Sequence, residues 1–108
     1  MSTILVIEDD AQIREMARFT LTRHGYTVLA ESDAIAGIAT ARREAPDLIL
    51  MDVNLPAVDG WTASRVIKSD PALAHVPIVA WTALRIQDGE AGARASGYDG
   101  YLTKPIEM

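Results

Sequence analysis

Asp52 closes the apolar run Leu48-Ile49-Leu50-Met51 that begins after Asp47, and Val53-Asn54-Leu55-Pro56-Ala57-Val58-Asp59-Gly60 follow it. Apolar residues that stop at a carboxylate, with a proline and an Asp-Gly pair behind, describe a buried strand delivering an acid to a loop. Taken alone, such an acid is an ordinary solvated strand end. The chain repeats the pattern, however: further runs end in Glu8-Asp9, Glu31, Thr82 and Thr103-Lys104. A parallel sheet would gather these acids, hydroxyls and the ammonium at one edge.

Carboxylates about 4 Å apart repel by roughly 4 kcal/mol per pair at an effective dielectric near 20, so Glu8, Asp9 and Asp52 together call for a cation or for protonation. Oxygen ligands without cysteine suit a hard ion such as Mg²⁺, which keeps several waters and takes one or two carboxylates plus phosphate oxygens. Beside such an ion, Lys104 offers a point charge and Thr82 a hydroxyl donor to a phosphoryl group. The chain has no glycine-rich nucleotide loop of the Walker type. A carboxylate can instead take the phosphoryl group itself, as an aspartyl phosphate.

The elements that must position these groups alternate. Thr3 to Ile7 is continuously apolar after its threonine and reads as a strand buried on both faces. Asp10 stands where an N-cap belongs, and Ile13, Met16, Ala17, Thr20 and Leu21 then recur at helical spacing, with Arg14, Glu15, Arg18 and Arg23 opposite. Gly25 stops this helix, and Tyr26 to Ala30 reads as a second strand. Ser32 or Asp33 caps a second helix with Ile35, Ile38 and Ala39 inward, and Pro46 keeps it from running into the Asp47 strand. A third helix after Gly60 turns Ala63, Val66 and Ile67 inward, with Arg65 and Lys68 opposite, and ends near Asp70-Pro71. Pro77 to Trp81 is the fourth apolar run. Arg85 to Gly97 reads as a soft fourth helix, because Gly89 and Gly92 each cost roughly 1 kcal/mol relative to alanine. Tyr98 to Thr103 makes a short fifth strand. Strand and helix in alternation specify an α/β fold with a parallel sheet covered on both faces, and function then belongs at the carboxyl ends of the strands.

Composition sets the outer bounds. The 108 residues, 49% hydrophobic and 23% charged, have room for one core. No run approaches the roughly 18 apolar residues of a membrane span, and no signal peptide opens the chain, so the reading is cytoplasmic. Without cysteine there is no disulfide and no thiolate site, and a net charge of −5 argues against direct nucleic-acid contact by this domain. His24 and His75 stand apart from the acids and are not read as ligands. Trp81 is read as core filling without chemistry, and Trp61 as a partner-contact candidate.

The chain resembles the receiver (CheY-like) domains of two-component response regulators. The resemblance runs from residue 3 to about 105 through Ile-Leu-Val-Ile-Glu8-Asp9-Asp10, Leu-Ile-Leu-Met-Asp52-x-x-Leu-Pro56-x-x-Asp59-Gly60, Trp81-Thr82-Ala83 and Gly97-Tyr-Asp-Gly-Tyr101-Leu-Thr-Lys104-Pro105. It implies a doubly wound, flavodoxin-like sheet of five strands in the order 2-1-3-4-5. It implies Asp52 as phosphoacceptor, with a histidine kinase or histidine phosphotransfer protein as donor. It implies Mg²⁺ held by Asp9 and Asp52 directly, by Glu8 through water and by the Asn54 backbone carbonyl. Thr82 and Lys104 would hold the phosphoryl oxygens, Thr82 and Tyr101 would switch with the state of the site, and Lys104-Pro105 would be a cis peptide. Three acids follow the first strand; Glu8-Asp9 is taken as the metal pair because it follows the strand directly, leaving Asp10 as helix cap.

Such a domain is no metabolic enzyme; it catalyses only its own phosphotransfer and dephosphorylation. The alternatives are an interaction module of the same fold indifferent to phosphorylation, which the intact acid, threonine and lysine set opposes, and a Mg²⁺-dependent phosphohydrolase with an aspartate nucleophile, disfavoured because so short a chain has no cap domain or substrate pocket. The departure from the pattern is at the end. The family has a fifth helix after the Lys-Pro turn, and here only Ile106, Glu107 and Met108 follow. The expectation is a C-terminally short receiver domain spanning 1–108, with Phe19 on the first helix short of a neighbour. An exposed apolar patch there would suit a partner chain, a second copy included.

Overall fold

In the computed structural model, residues 2–53, 55, 60–82 and 98–104 are described. β1 (Thr3–Ile7), α1 (Ala11–Arg23), β2 (Thr27–Glu31), α2 (Ala34–Glu44), β3 (Leu48–Asp52), α3 (Gly60–Ser69), β4 (Ile78–Thr82) and β5 (Gly100–Thr103) follow one another along the chain. The strands form one sheet in the order β2-β1-β3-β4-β5, parallel at every pairing. This is the doubly wound, flavodoxin-like order that the resemblance implied. The expected helix from Arg85 to Gly97, Asn54 and the Lys104-Pro105 peptide lie outside the described residues, as does the Trp61 side chain.

Alternation along the strands sends side chains to two cores. Leu5 and Ile7, Ile49 and Met51, and Ile78 and Ala80 face α2 and α3, where Ala34, Ala41, Val53, Leu55, Ala63, Ile67, Leu73, Val76 and Tyr98 complete the larger cluster. Ile4, Val6, Leu50 and Trp81 face the other way and meet Ala17 and Leu21 of α1 in a smaller one. Continuous apolar strands are what a sheet covered on both faces requires.

Strand boundaries move by one residue in β2 and β4, and β5 starts at Gly100, two residues later than the expected Tyr98. β2 runs on through Glu31 because Glu31 O accepts the Glu8 N–H at 3.0 Å. β4 begins after Pro77, which has no N–H to give, and extends to Thr82, whose carbonyl accepts the Lys104 N–H at 2.9 Å.

The helices differ from the sequence expectation in phase. Met16 and Ile35, expected inward, are 62% and 66% exposed. Ala39 and Val66 also face solvent. In α1 the inner stripe narrows to Ile13, Ala17, Thr20 and Leu21. In α2 the buried residues are Ala34, Gly37, Thr40 and Ala41, with Ile38 partly buried beside them, and the alanines and glycine let the helix lie against β1. The approach is close: a Cβ on Gly37 would stand 2.3 Å from Ile7 Cδ1. Counting large apolar residues therefore misplaced the face, because this contact selects for small ones.

The caps are local and mostly as read. Asp10 accepts from the N–H groups of Gln12 and Ile13 at 2.9 and 3.1 Å, and Asp33, not Ser32, accepts from Ala36 at 2.8 Å. Gly25, at φ 92°, ends α1. α2 stops one residue before the expected proline stop, at Ala45, which takes the left-handed φ of 47°. A non-glycine residue there costs roughly 1 to 2 kcal/mol, partly offset by the greater unfolded-state freedom a glycine would lose.

Two substitutions test these contacts in urea unfolding. Gly37→Val should lose about 2 kcal/mol by overpacking onto Ile7. Ala45→Gly should gain roughly 0.5 kcal/mol, the balance of the two terms above.

Candidate functional site

The register brings the strand ends level. Val6 pairs with Leu50, Asp52 with Trp81, and Thr82 with Thr103. Glu8 and Asp52 each stand two residues beyond Val6 and Leu50, so they continue the α1-side face past the apolar cluster. Both are buried, Glu8 to 1% and Asp52 to 4% exposure, whereas Asp9 is open to solvent. Carboxylate oxygens of these three acids lie within 4.8 Å of one another. Three hard, anionic oxygen donors so close fit a divalent cation such as Mg²⁺, and no histidine joins them among the described residues.

Lys104 enters this group from the end of β5. Its Nζ lies 2.5 Å from Glu8 Oε2 and 3.3 Å from Asp52 Oδ2. The other Glu8 oxygen accepts the Asp10 N–H at 3.1 Å. Thr82 is buried at the end of β4, one position past Trp81, and Tyr101 packs half-buried against the larger core in register with Ala80. Alternation puts Thr82 on the same face as Ala80, hence on the Tyr101 side of the sheet.

Four expected site residues thus converge, Glu8, Asp9, Asp52 and Lys104, with Thr82 at the adjacent strand end. Glu31, which also ends a strand, does not join them: its carboxylate takes the Thr40 hydroxyl at 2.5 Å. Asp10 caps α1, and the acids that lie beside Asp52 are Glu8 and Asp9.

Two residues were read too plainly from the sequence. Arg14, assigned to the solvated face, sends Nη1 back to the Glu8 carbonyl at 2.8 Å and to the Asp9 carbonyl at 3.5 Å, tying down the β1-to-α1 turn. The available signal was a cation in the first turn of a helix, where it opposes the macrodipole and needs another partner. Trp81, read as inert filling, has the Lys104 ammonium 5.0 Å from its ring centroid.

Burial pushes the Glu8 carboxyl up to about 7, and the Asp52 charge adds to the rise, against the opposing pull of Lys104 and the Asp10 N–H.

The chain belongs to the response regulator receiver domain family, which it matches over residues 4–108. It is 41% identical over 109 residues to the DNA-binding dual master transcriptional regulator RpaA of Synechocystis, covering 100% of this chain and 45% of that protein. It is 31% identical over 106 residues to the polar-differentiation response regulator DivK of Brucella anthropi, covering 98% of this chain and 86% of that one. The chain therefore spans under half of the first relative and most of the second. The receiver domain of the sensor histidine kinase PA1611 from Pseudomonas aeruginosa superposes with a TM-score of 0.87 at 34% identity, over 98% of this chain and 87% of that one, and it holds a magnesium ion in its active-site cleft. No helix among the described residues is long and apolar enough to cross a membrane.

A carboxyl whose pKa is higher folded than unfolded takes up a proton on folding, so its contribution favours the folded state on the acid side. Without divalent cations, stability should fall as pH rises from about 4.5 to about 7, the range bounded by the ordinary and the raised Glu8 values. Glu8→Gln should remove that part of the slope. Urea midpoints of both proteins between pH 4.5 and 8 measure the difference; parallel profiles would exclude Glu8 as its source.

Proposed function

We propose that this receiver domain is a phosphoacceptor of a two-component phosphorelay, phosphorylated on Asp52 in a Mg²⁺-dependent reaction. The observation that carries the reading is the placement of Asp52, buried at 4% exposure with an ammonium at 3.3 Å and two further carboxylates beside it. Such a group is designed for an incoming dianion together with a cation: the acids alone repel, and one lysine does not neutralise them.

An Asp52 carboxylate oxygen attacks the phosphorus of a phosphohistidine on a histidine kinase or phosphotransfer protein. The P–N bond breaks as the P–O bond forms, the bonding pair goes to the imidazole nitrogen, and Asp52 carries an acyl phosphate. Asp9 and Asp52 would hold Mg²⁺ directly, Glu8 through water and Asn54 through its backbone carbonyl. When bound, the ion supplies positive charge to the transferring phosphoryl oxygens. Lys104 leaves its carboxylate partners for a phosphoryl oxygen, and Thr82 donates its hydroxyl to another. That movement draws on the Tyr101 side of β5, the coupling from site to surface by which two arrangements of the domain would be biased.

The same reading makes the domain its own phosphatase, with water replacing histidine at phosphorus, and nothing more as an enzyme. It places the domain in the cytoplasm, where phosphorelay donors act, with no nucleic-acid or membrane contact of its own. The kinase, the output and any further domain belong to the whole protein, and a regulator such as RpaA and a shorter one such as DivK are both compatible with these residues.

Intact mass after incubation with acetyl phosphate and Mg²⁺ tests the proposal. One phosphoryl group should add to the protein, and none to Asp52→Asn or to the protein with Mg²⁺ removed by chelation. A folded, Mg²⁺-binding protein that gains no mass would instead be a phosphorylation-independent interaction module.

A further inference from the structure

Trp81 occupies an unusual position for the largest fully buried side chain among the described residues. It stands in register with Asp52 on one side and with Leu102, two residues before Lys104, on the other. In a parallel sheet, in-register side chains rise from the same face about 5 Å apart, so the indole lies directly beside the acceptor strand end and beneath the lysine. At 1% exposure its ring meets the Lys104 ammonium at 5.0 Å from the centroid. Its Nε1–H is buried without a hydrogen-bond partner among the described residues. An indole whose polar edge is unpaired in the core is costly relative to a plain hydrocarbon ring. What this side chain offers in return is the ring face, the strongest of the aromatic surfaces for a cation.

We propose that Trp81 is a positioning residue for Lys104. The ammonium is held from three sides, by Glu8 at 2.5 Å, by Asp52 at 3.3 Å and by the indole face. The two carboxylate contacts change whenever a cation or a phosphoryl group enters the site; the ring does not. It keeps the ammonium above the end of β3 while its anionic partners are exchanged, limiting the lysine to a short swing between Glu8, Asp52 and whatever Asp52 carries. A lysine has four rotatable side-chain bonds, and without such a rest its charge would be free to follow solvent or Asp9.

Two readouts test this, and only the first rests on Asp52 being the acceptor. The first is the rate of phosphorylation by acetyl phosphate with saturating Mg²⁺, followed by intact mass, in the full chain and in Trp81→Phe and Trp81→Leu. Loss of a desolvated cation–π contact corresponds to roughly fivefold to thirtyfold in rate. Trp81→Leu should slow by that much, whereas Trp81→Phe, which keeps a ring face, should stay within about threefold of the parent. A folded Trp81→Leu that reacts at the parent rate overturns the proposal. So does equal slowing in the two variants, which would assign the effect to lost volume.

The second readout uses Trp61→Phe, which leaves Trp81 as the sole tryptophan. Adding Lys104→Met should shift its emission, because the nearest charge to the ring is removed. Unchanged emission in the folded double variant overturns the proposal whatever the phosphorylation result. If the parent gains no phosphoryl group, the acceptor reading fails while the emission arm still decides the lysine contact. Should Trp81→Leu not fold, Trp81→Met replaces it in the same comparison, and the emission arm is unaffected.

Discussion

The pairing of Lys104 with Glu8 and Asp52 constrains everything around it. Two carboxylates have been taken out of water at the end of a sheet, a third stands beside them in solvent, and the Lys104 ammonium pairs with the two buried ones. Removing charges from water costs several kcal/mol each, and close attraction recovers that only where the geometry is tight. Here the contact to Glu8 is short, and the remaining Glu8 oxygen is satisfied by a backbone N–H. One ammonium against three carboxylates nevertheless leaves an excess of negative charge among the described residues. Protonation of Glu8 is one relief and a divalent cation is the other, which explains how a carboxyl in this chain can have its pKa pushed to about 7.

Such a group can exist only if the strands finish flush. β1, β3 and β4 contribute Glu8, Asp52 and Thr82 at one edge because their register is fixed by continuous apolar faces on both sides of the sheet. A slip of one residue would turn Asp52 to the α2 and α3 side and place Met51 at the site. The close seat of α2 on Ile7, made by Gly37, and the hydrogen bonds from Glu8 to Glu31 and from Lys104 to Thr82 lock that register at both margins.

The strand ends were the most legible part of the sequence, since an apolar run that stops at an acid carries both its burial and its terminus in a few residues. Helix existence and capping were legible for the same local reasons, as Asp10 and Gly25 show. The helix faces were less so. α2 buries alanine and glycine and exposes Ile35, because the sheet is approached too closely for a larger side chain at position 37. Pair contacts across the fold were the least legible: nothing local distinguishes a core tryptophan from one lying under an ammonium. Glu31 shows the converse error, an acid at a strand end whose partner, Thr40, lies on the following helix. Phe19 of α1 is 64% exposed, and the Arg23 guanidinium lies 5.5 Å over its ring.

The uneven division of the lysine between its two partners has a chemical consequence. A carboxylate that is to attack phosphorus must keep electron density on its oxygens, and an ammonium in tight contact would withdraw it. Lys104 is closer to Glu8 than to Asp52, so the acid that is not the proposed nucleophile takes the stronger pairing. Arg14 and the Asp10 cap hold the turn carrying Glu8 and Asp9 through backbone groups, leaving the charge of the acids themselves uncommitted to the guanidinium. The scaffold is thereby fixed through its peptide bonds while its carboxylates remain available to exchange partners. A site that gains and loses a phosphoryl group, as proposed for this one, needs that separation, because every partner of its carboxylates must be replaceable without unfolding the loop that presents them.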